Sequence, residues 1–327
     1  MSVLVTGGAG YIGSHLVWRL AETGQTVIVI DNLSTGRREA IHPRAIFHQG
    51  NAGNTALVGD LIARHGIDSI IHLAASISVS ESIETPLKYY RNNSGVSRHL
   101  IETCVQTGVQ NFIFASSASV YGDAGSAEVN ETAVLNPANP YGRSKHITEW
   151  MLADAHRAHG LRYASLRYFN VAGTARAGAG GWSMPSSAHL ISHANKVALG
   201  QERVLNIFGT DYPTQDGTCV RDYIHIEDLG DIHLGILAVL RDGSAPGPLN
   251  CGYGRGISVR DVVSAVERVS GSPLPTKLAL RRKGDTARVV ADPTRLRNLL
   301  HWSPRHEDID AIIRSDYERE KARSATH

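Results

Sequence analysis

The stretch "VLVTGGAGYIGSHL" (residues 3–16) restricts the fold more than any other part of the chain. A short β-branched run, "VLVT" (3–6), ends in glycines at 7, 8, 10 and 13, and an amphipathic helix of about Ile12 to Glu22 follows. Two glycine frames fit, Gly8-x-Gly10-x-x-Gly13 and Gly7-x-x-Gly10-x-x-Gly13. Either allows a tight turn and a close backbone approach, and the helix start presents N–H groups to a pyrophosphate. The next buried strand, "VIVI" (27–30), leads into Asp31. A carboxylate there can accept from both ribose hydroxyls of NAD and repels a 2′-phosphate. Arg37 and Arg38 argue for NADP, but Asp31 stands at the strand end itself and outweighs them. The segment reads as the opening of an NAD site, with Gly7, Gly10, Tyr11, Ile12, Gly13, Asp31 and Asn32 as candidate contacts.

The same alternation continues. "AIFHQ" (45–49), "SIIHLA" (69–74), "NFIFASS" (111–117) and "RYASLR" (162–167) read as further strands. Helical segments lie between them at 57–66, at about Leu87 to Thr107 and from Pro140 to about His159. Strands separated by helices of ten or more residues need parallel crossovers, so the fold class is α/β, a Rossmann-type doubly wound parallel sheet. After Asn170 the character changes. "VAGTARAGAGGWSMPSS" is rich in glycine and serine and has no periodicity, which marks entry into a smaller C-terminal substrate-binding α/β domain. The expected division is 1–170 and 171–327, with about 223–250, a strand plus helix, a candidate to return to the first domain. The last segment, "EREKARSATH" (318–327), is polar and expected to fray.

With 33 basic against 31 acidic residues the net charge is +2, too small for a general field that would hold nucleic acid or an anionic membrane. No stretch approaches the ~18 apolar residues of a membrane span. Cys104, Cys219 and Cys251 are far apart and form no C-x-x-C arrangement, which fits a cytoplasmic location and structural thiols. The 16 histidines form no H-E-x-x-H or Cys/His cluster, so no metal site is read.

"NPANPYGRSKHIT" (136–148) carries the chemistry. Asn139 can cap a helix and Pro140 suits its first position, so Tyr141 and Lys145 project from one face. A free tyrosine titrates near ~10, so a base working at neutral pH needs a shift of ~3 units, about 4 kcal/mol. Lys145 and the positive nicotinamide ring of NAD are the charges available to supply it. Ser117 or Ser119 can hydrogen-bond a substrate hydroxyl at the mouth of the same sheet.

The glycine motif, the serine-rich "SSASVYG" (116–122) and Tyr-x-x-x-Lys resemble the extended short-chain dehydrogenase/reductase family. Within it, "YFNVAG" (168–173), "FGTDYPTQDGTCVRDYIHIEDL" (208–229) and "RRKGD" (281–285) are similar to the UDP-glucose (UDP-galactose) 4-epimerases, across nearly the whole chain. The resemblance implies 4-epimerisation of a UDP-sugar through a transient 4-keto sugar, with NAD kept as a prosthetic group. It implies Tyr141 as acid–base, Ser117 as the catalytic hydroxyl with Ser119 beside it, and Lys145 on the nicotinamide ribose. Asn51, Ala52, Leu73, Ala74, Ala75, Asn93 and Tyr168 fall at cofactor-contact positions. Arg221 and Arg282 fall where the diphosphate is held, Asp285 on the uridine ribose, Asn170 on the diphosphate or sugar, and His189 where many members use asparagine.

Three positions depart from the pattern: Asn51 for an aspartate, Ile77 for a lysine found in some members, and Val289 at a gate beside the sugar. A small residue at that gate implies room for a 2-acetamido group. UDP-xylose/UDP-arabinose 4-epimerisation stays open, because no residue is required by the missing hydroxymethyl. A dehydratase or decarboxylase is disfavoured by the lack of a carboxylate in Ser117-Ala118-Ser119, and a non-catalytic NAD sensor has no reason to keep both Tyr141 and Lys145. By the same resemblance the helices near 87–107 and 140–159 form a homodimer interface through Val96, Leu100, Val105, Ile147, Trp150 and Met151.

Overall fold

The computed structural model describes residues 1–123, 125, 128–175 and 189–324. Strand and helix alternate through the first half: β1 (Ser2–Thr6), α1 (Tyr11–Glu22), β2 (Thr26–Asp31), β3 (Ile46–Gln49), α2 (Thr55–His65) and β4 (Ile67–His72). Two short helices, α3 (Val79–Glu84) and α4 (Pro86–Tyr89), lead into α5 (Val96–Thr107), β5 (Asn111–Ser117), α6 (Pro140–His159) and β6 (Arg162–Tyr168). Next come β7 (Asn170–Ala172), α7 (Leu190–Ala198), β8 (Leu205–Phe208), β9 (Val220–His225), α8 (Ile226–Arg241) and β10 (Gly247–Cys251). The chain ends with β11 (Gly256–Ser258), α9 (Val259–Ser270), β12 (Thr276–Ala279), β13 (Arg288–Val289), α10 (Thr294–Leu300) and α11 (Ile309–Ser324).

Seven strands form one parallel sheet in the order β10-β6-β5-β4-β1-β2-β3. The period of two decides what each face covers. Val3 and Val5 join the core beneath α1 and α8, while Leu4 joins the opposite core with Ile28, Ile30, Leu61 and Phe112. Each such fully buried side chain contributes roughly 1.5–3 kcal/mol. Strand order reverses between β1 and β4, and the crevice beyond their carboxyl ends is where such sheets bind ligands.

The expected strands and crossovers are all present. In the 223–250 segment α8 packs on α1 and beneath β5, and β10 pairs with β6. A smaller sheet, β11-β9-β13, with β7 also paired to β9, stands beside the first, and β8 pairs with β12. Only Phe169 separates β6 from β7, so one residue carries the chain from one sheet to the other.

Two local expectations change. The helix expected over 87–107 contains a widened, π-type turn at Tyr90–Gly95 between α4 and α5. Residues 318–324 are helical rather than frayed, because α11 buries Ile312, Ile313, Asp316 and Glu320. Residues 176–188 of the glycine-rich segment and 325–327 lie outside the described residues. All three cysteines are buried and unpaired.

Candidate active site

The loop from Gly7 to Gly13 is closed by its own backbone. Gly7 N–H donates to Ile30 O at 2.9 Å and Gly10 N–H to Gly7 O at 3.2 Å. A Cβ on Gly13 would lie 2.1 Å from Gly7 O and 2.7 Å from Gly8 Cα, so only glycine lets α1 start this close to β1. The first N–H groups of α1 have no intrahelical acceptor, and no acidic side chain stands in its first turn. That donor set fits a pyrophosphate. Asp31 is buried at the end of β2, where its carboxylate accepts from Ala9 N–H at 2.9 Å and Leu33 N–H at 2.8 Å. Each carboxylate oxygen keeps a lone pair for a ribose hydroxyl. Arg38 lies over the Phe47 ring, 5.2 Å from its centroid.

Several expected contacts have other work. Tyr11 donates its hydroxyl to Gly173 O at 2.5 Å, so its side chain ties α1 to the strand-end of β7 and only its backbone belongs to the loop. Asn32 and Asn51 accept from Ser34 and Gly53 N–H in turns of their own, at 3.0 and 2.8 Å, and Ala52 is buried beside the second. Leu73 and Ala74 donate their N–H groups to Thr6 at 3.1 and 3.3 Å, holding the β4 loop with Ala75 against the glycine loop. Asn93 is 2% exposed, and its amide bonds Ser76 N, Ser76 O and Ser144 Oγ. Both of its N–H donors are engaged, so it straps the 73–78 loop to α6. Ile77, next in the chain after Ser76, is exposed. Tyr168 bonds His233 Nε2 at 2.7 Å, while His233 Nδ1 meets Leu229 O at 2.8 Å. The carbonyl requires a proton on Nδ1, so Tyr168 is the donor to Nε2 and offers no proton to a cofactor.

α6 delivers the central pair. Asn139 accepts from Gly142 N–H at 2.9 Å as cap, Pro140 starts the helix, and a Cβ on Gly142 would lie 2.4 Å from Ser119 O. The first turn of α6 therefore rests directly on the 117–120 turn. Ser117 Oγ accepts from Ser119 N–H at 3.1 Å and hydrogen-bonds the Tyr141 phenol, so Ser117 is the hydroxyl brought to the tyrosine. Lys145 is buried, donates to Ala115 O at 2.7 Å and lies 4.9 Å from the Phe114 centroid. Burial lowers its ammonium to about 7. Burial also raises the Tyr141 phenol, with the Ser117 hydrogen bond opposing it. The lysine does not make the tyrosine acidic by itself, because its ammonium is tied to the β5 carbonyl and lies 5.9 Å from the phenol ring centroid. A buried ammonium with a proton donor to spare fits a ribose diol placed above the sheet end.

Across the crevice, β9 carries Arg221, whose guanidinium bonds Val220 O at 2.9 Å and whose strand partner on β13 is Val289. Arg282 stacks on Phe208 at 4.8 Å and pairs with Asp285 at 3.0 Å. Burial pushes the Tyr223 phenol up to about 12, and the charges of Arg221 and Arg282 both oppose that shift. Asn170 opens β7 beside Tyr223, and His189 precedes α7, its imidazole lowered to about 4 by burial. Val289 packs with Phe169, Ala118 and Ala291, next to the Ser117 turn. The Arg282–Asp285 turn touches α3: a Cβ on Gly284 would lie 3.3 Å from Ile83 Cδ1.

Sequence reasoning missed Phe208 beneath Arg282, and it missed Asp222. That buried carboxylate accepts from Tyr253, Gly254 and Ala291 N–H at 2.9, 2.8 and 3.2 Å and is raised by burial to about 6. It also missed the buried group Ser116, Glu149, Arg167, Tyr121 and Asn250. The signal for that group was Glu149 itself, four residues past Lys145 on the same helix face. His225, Glu227 and His306 bring ligand atoms within 4.8 Å of one another. Both nitrogens of His225 already have partners, Glu227 N–H at 3.2 Å and Ser315 Oγ at 3.3 Å.

A parallel sheet with a glycine loop at its switch point and a Ser, Tyr, Lys set at the end of β5 defines a Rossmann enzyme of the short-chain dehydrogenase/reductase type. Residues 3–252 match the model of the NAD dependent epimerase/dehydratase family, and the chain belongs to that family. It is 49% identical to a UDP-glucose 4-epimerase of Azospirillum brasilense over 96% of this chain and 90% of that one. A UDP-glucose 4-epimerase from Stenotrophomonas maltophila, solved with bound NAD and formylated UDP-arabinopyranose, superposes with a TM-score of 0.94 at 37% identity, covering 100% of both chains. The UDP-Glc/GlcNAc 4-epimerase of Campylobacter jejuni gives a TM-score of 0.84 at 42% identity, over 98% of this chain and 99% of that one.

Proposed function

We infer that the chain is an NAD-dependent isomerase that epimerises UDP-hexoses at C4′, UDP-glucose with UDP-galactose, and that it also accepts the 2-acetamido pair. The observation that carries this is the meeting of Ser117, Tyr141 and Lys145 at the end of β5, in a parallel sheet whose switch point carries the glycine loop. NAD, when bound, supplies a reversible hydride acceptor and a positive ring next to the acid–base group. Tyr141 Oη takes the proton from the 4′-hydroxyl, with Ser117 Oγ bridging the two oxygens, and returns it to O4′ once the 4-keto sugar has presented its other face. No net proton or hydride is lost. Lys145 holds the nicotinamide ribose, and the Ser117 hydrogen bond opposes the burial that raises the phenol.

Arg221 and Arg282 hold the diphosphate, as planar forks suit phosphate oxygens. Binding then requires Arg282 and Asp285 to exchange each other for the diphosphate and a uridine ribose hydroxyl. His189 in its neutral form donates one hydrogen bond there. Glu149, the carboxylate that reaches the end of β5, is engaged by Ser116 and Arg167, which argues against elimination chemistry. The acetamido reading is supported by the small Val289 beside Phe169 and the Ser117 turn. The seven-stranded sheet, including β10, with α1 and α8 forms the NAD unit, and the β9 sheet with α7 and α9 forms the nucleotide-sugar unit. A cytoplasmic location is supported by three buried, unpaired cysteines, and no helix among the described residues is long and apolar enough to cross a membrane.

The test is to incubate purified protein, without added cofactor, with UDP-galactose, UDP-N-acetylgalactosamine and UDP-arabinose and to identify the products. UDP-glucose and UDP-N-acetylglucosamine are expected. Conversion of UDP-arabinose alone would move the assignment to pentoses, and no conversion of any would leave an NAD-binding protein without this activity.

A further inference from the structure

We propose that the buried Glu149–Arg167 ion pair is a positioning device for the acid–base site, setting the register of α6 over β5. This rests on the reading of Tyr141 as the acid–base group. Tyr141, Lys145 and Glu149 follow one another at four-residue intervals on one face of α6. They engage three successive residues of β5: Glu149 accepts from Ser116 Oγ at 2.6 Å, Lys145 donates to Ala115 O at 2.7 Å, and Tyr141 meets Ser117. A slip of α6 along the strand breaks all three contacts together.

Glu149 anchors the set. Arg167, on β6, binds it in a fork, Nε to Oε1 at 3.0 Å and Nη2 to Oε2 at 2.7 Å. The same guanidinium reaches Tyr121 Oη at 2.9 Å, and Tyr121 donates to Asn250 Oδ1 on β10 at 2.6 Å. Both charged groups are 5% exposed or less. A buried ion pair seldom adds net stability over an apolar pair of the same volume, and its best-attested use is to fix register. A bidentate fork serves that use, because it is satisfied in one geometry only. Apolar contacts between α6 and the sheet tolerate a shift of a fraction of an ångström; this fork does not.

The Tyr141 phenol is faced by Lys145 on its own helix, by Tyr89 from α4 at 6.4 Å with Glu81 bound behind it, and by Tyr168 from β6 with His233 behind that. Glu149 itself is also approached by His146 of α6, Nδ1 to Oε2 at 3.9 Å, and a change at Glu149 reaches the phenol through the placement of Ser117 and Lys145.

The experiment is the double variant Glu149→Leu/Arg167→Met, assayed on UDP-galactose as holoenzyme with its copurified cofactor. The expected result is a cooperative melt close to the parent, KM within about threefold, kcat lower by about tenfold or more, and the acid limb of the kcat profile moved to higher pH. A folded double variant with parental kcat and pH profile would overturn the proposal. Should the double variant melt below assay temperature, Ser116→Ala cuts the tether to β5 while leaving the ions paired. A threefold or larger loss of kcat with an upward limb then supports the proposal, and parental behaviour overturns it. An inert parent enzyme would overturn the functional reading, and this role with it, whereas an active parent isolates the variant-to-parent ratio as the measure of the pair.

Discussion

Burial raises the Tyr141 phenol and lowers the Lys145 ammonium, so each partner is held in a medium that disfavours its charged form. A phenolate there depends on Ser117, on Lys145 and on the cofactor's charge acting together. Tyr141→Phe removes the proton carrier and little volume, so the fold and bound NAD should survive while turnover falls by roughly 100- to 10,000-fold. Turnover within threefold of the parent would remove Tyr141 from the mechanism. Val289 tests the sugar pocket at the same scale. Its side chain is half-buried against Phe169 and Ala118, and overpacking such a place costs roughly 1–3 kcal/mol. Val289→Tyr should depress kcat/KM for the acetamido sugars by about ten- to a hundredfold and spare UDP-galactose. Equal losses on both substrates would show that another residue is the gate.

At the scale of elements, β1, its glycine loop and α1 form one unit whose spacing is set by backbone atoms. The nearest neighbours of a Cβ on Gly13 are main-chain atoms of Gly7 and Gly8, which cannot swing aside as a side chain could. Gly13→Ala should therefore push α1 away from β1 and cost the protein its bound nucleotide. Released cofactor can be measured by mass after denaturation, and a stoichiometric yield of NAD from the variant would contradict this. Such features were legible beforehand, because turn sterics and helix starts are local: the Gly13 turn here, and the Asn139 cap with Pro140 at the start of α6, are placed as their residue types require. The engagement of Asn93 by Ser76 and Ser144, and of Tyr168 by His233, was not legible. Each joins elements far apart in sequence, and no local pattern records which side chains meet.

For the whole molecule, the buried histidines set the response to acid. Burial holds His72 and His225 at about 3 and His189 and His233 at about 4. All four lie below the ordinary value, so the unfolded chain binds more protons than the folded one between about 6.5 and 4. Stability then falls as pH falls through that window, by ~1.4 kcal/mol per pH unit for each proton. Asp222, raised to about 6, acts in the opposite sense for one proton. The net expectation is a denaturant midpoint clearly lower at pH 5 than at pH 7, and an equal or higher midpoint at pH 5 would refute it. Assembly belongs to this scale as well. Ile101, Val105, Met151 and Ala155 line a groove between α5 and α6, and Trp150 is 58% exposed beside them. Leu100, expected at the interface, is fully buried against the chain's own sheet, and Val96 packs on that core too. The remaining face supports a homodimer, and a monomeric mass by light scattering at micromolar concentration would exclude one.

The sequence by itself determined the elements whose causes are local: the alternation of buried strands with capped helices, the glycine turn, the acidic strand end, and the one-turn spacing of Tyr141 and Lys145. Backbone sterics and side-chain periodicity act within a few residues, so they can be read from a string. Tertiary structure alone decided which distant groups meet. It paired β10 with β6 in the first sheet, stacked Arg282 on Phe208, tied Lys145 to Ala115 O and locked Glu149 to Arg167. Those contacts form only when elements far apart in sequence are packed together, and their energies depend on burial and geometry that no single segment contains.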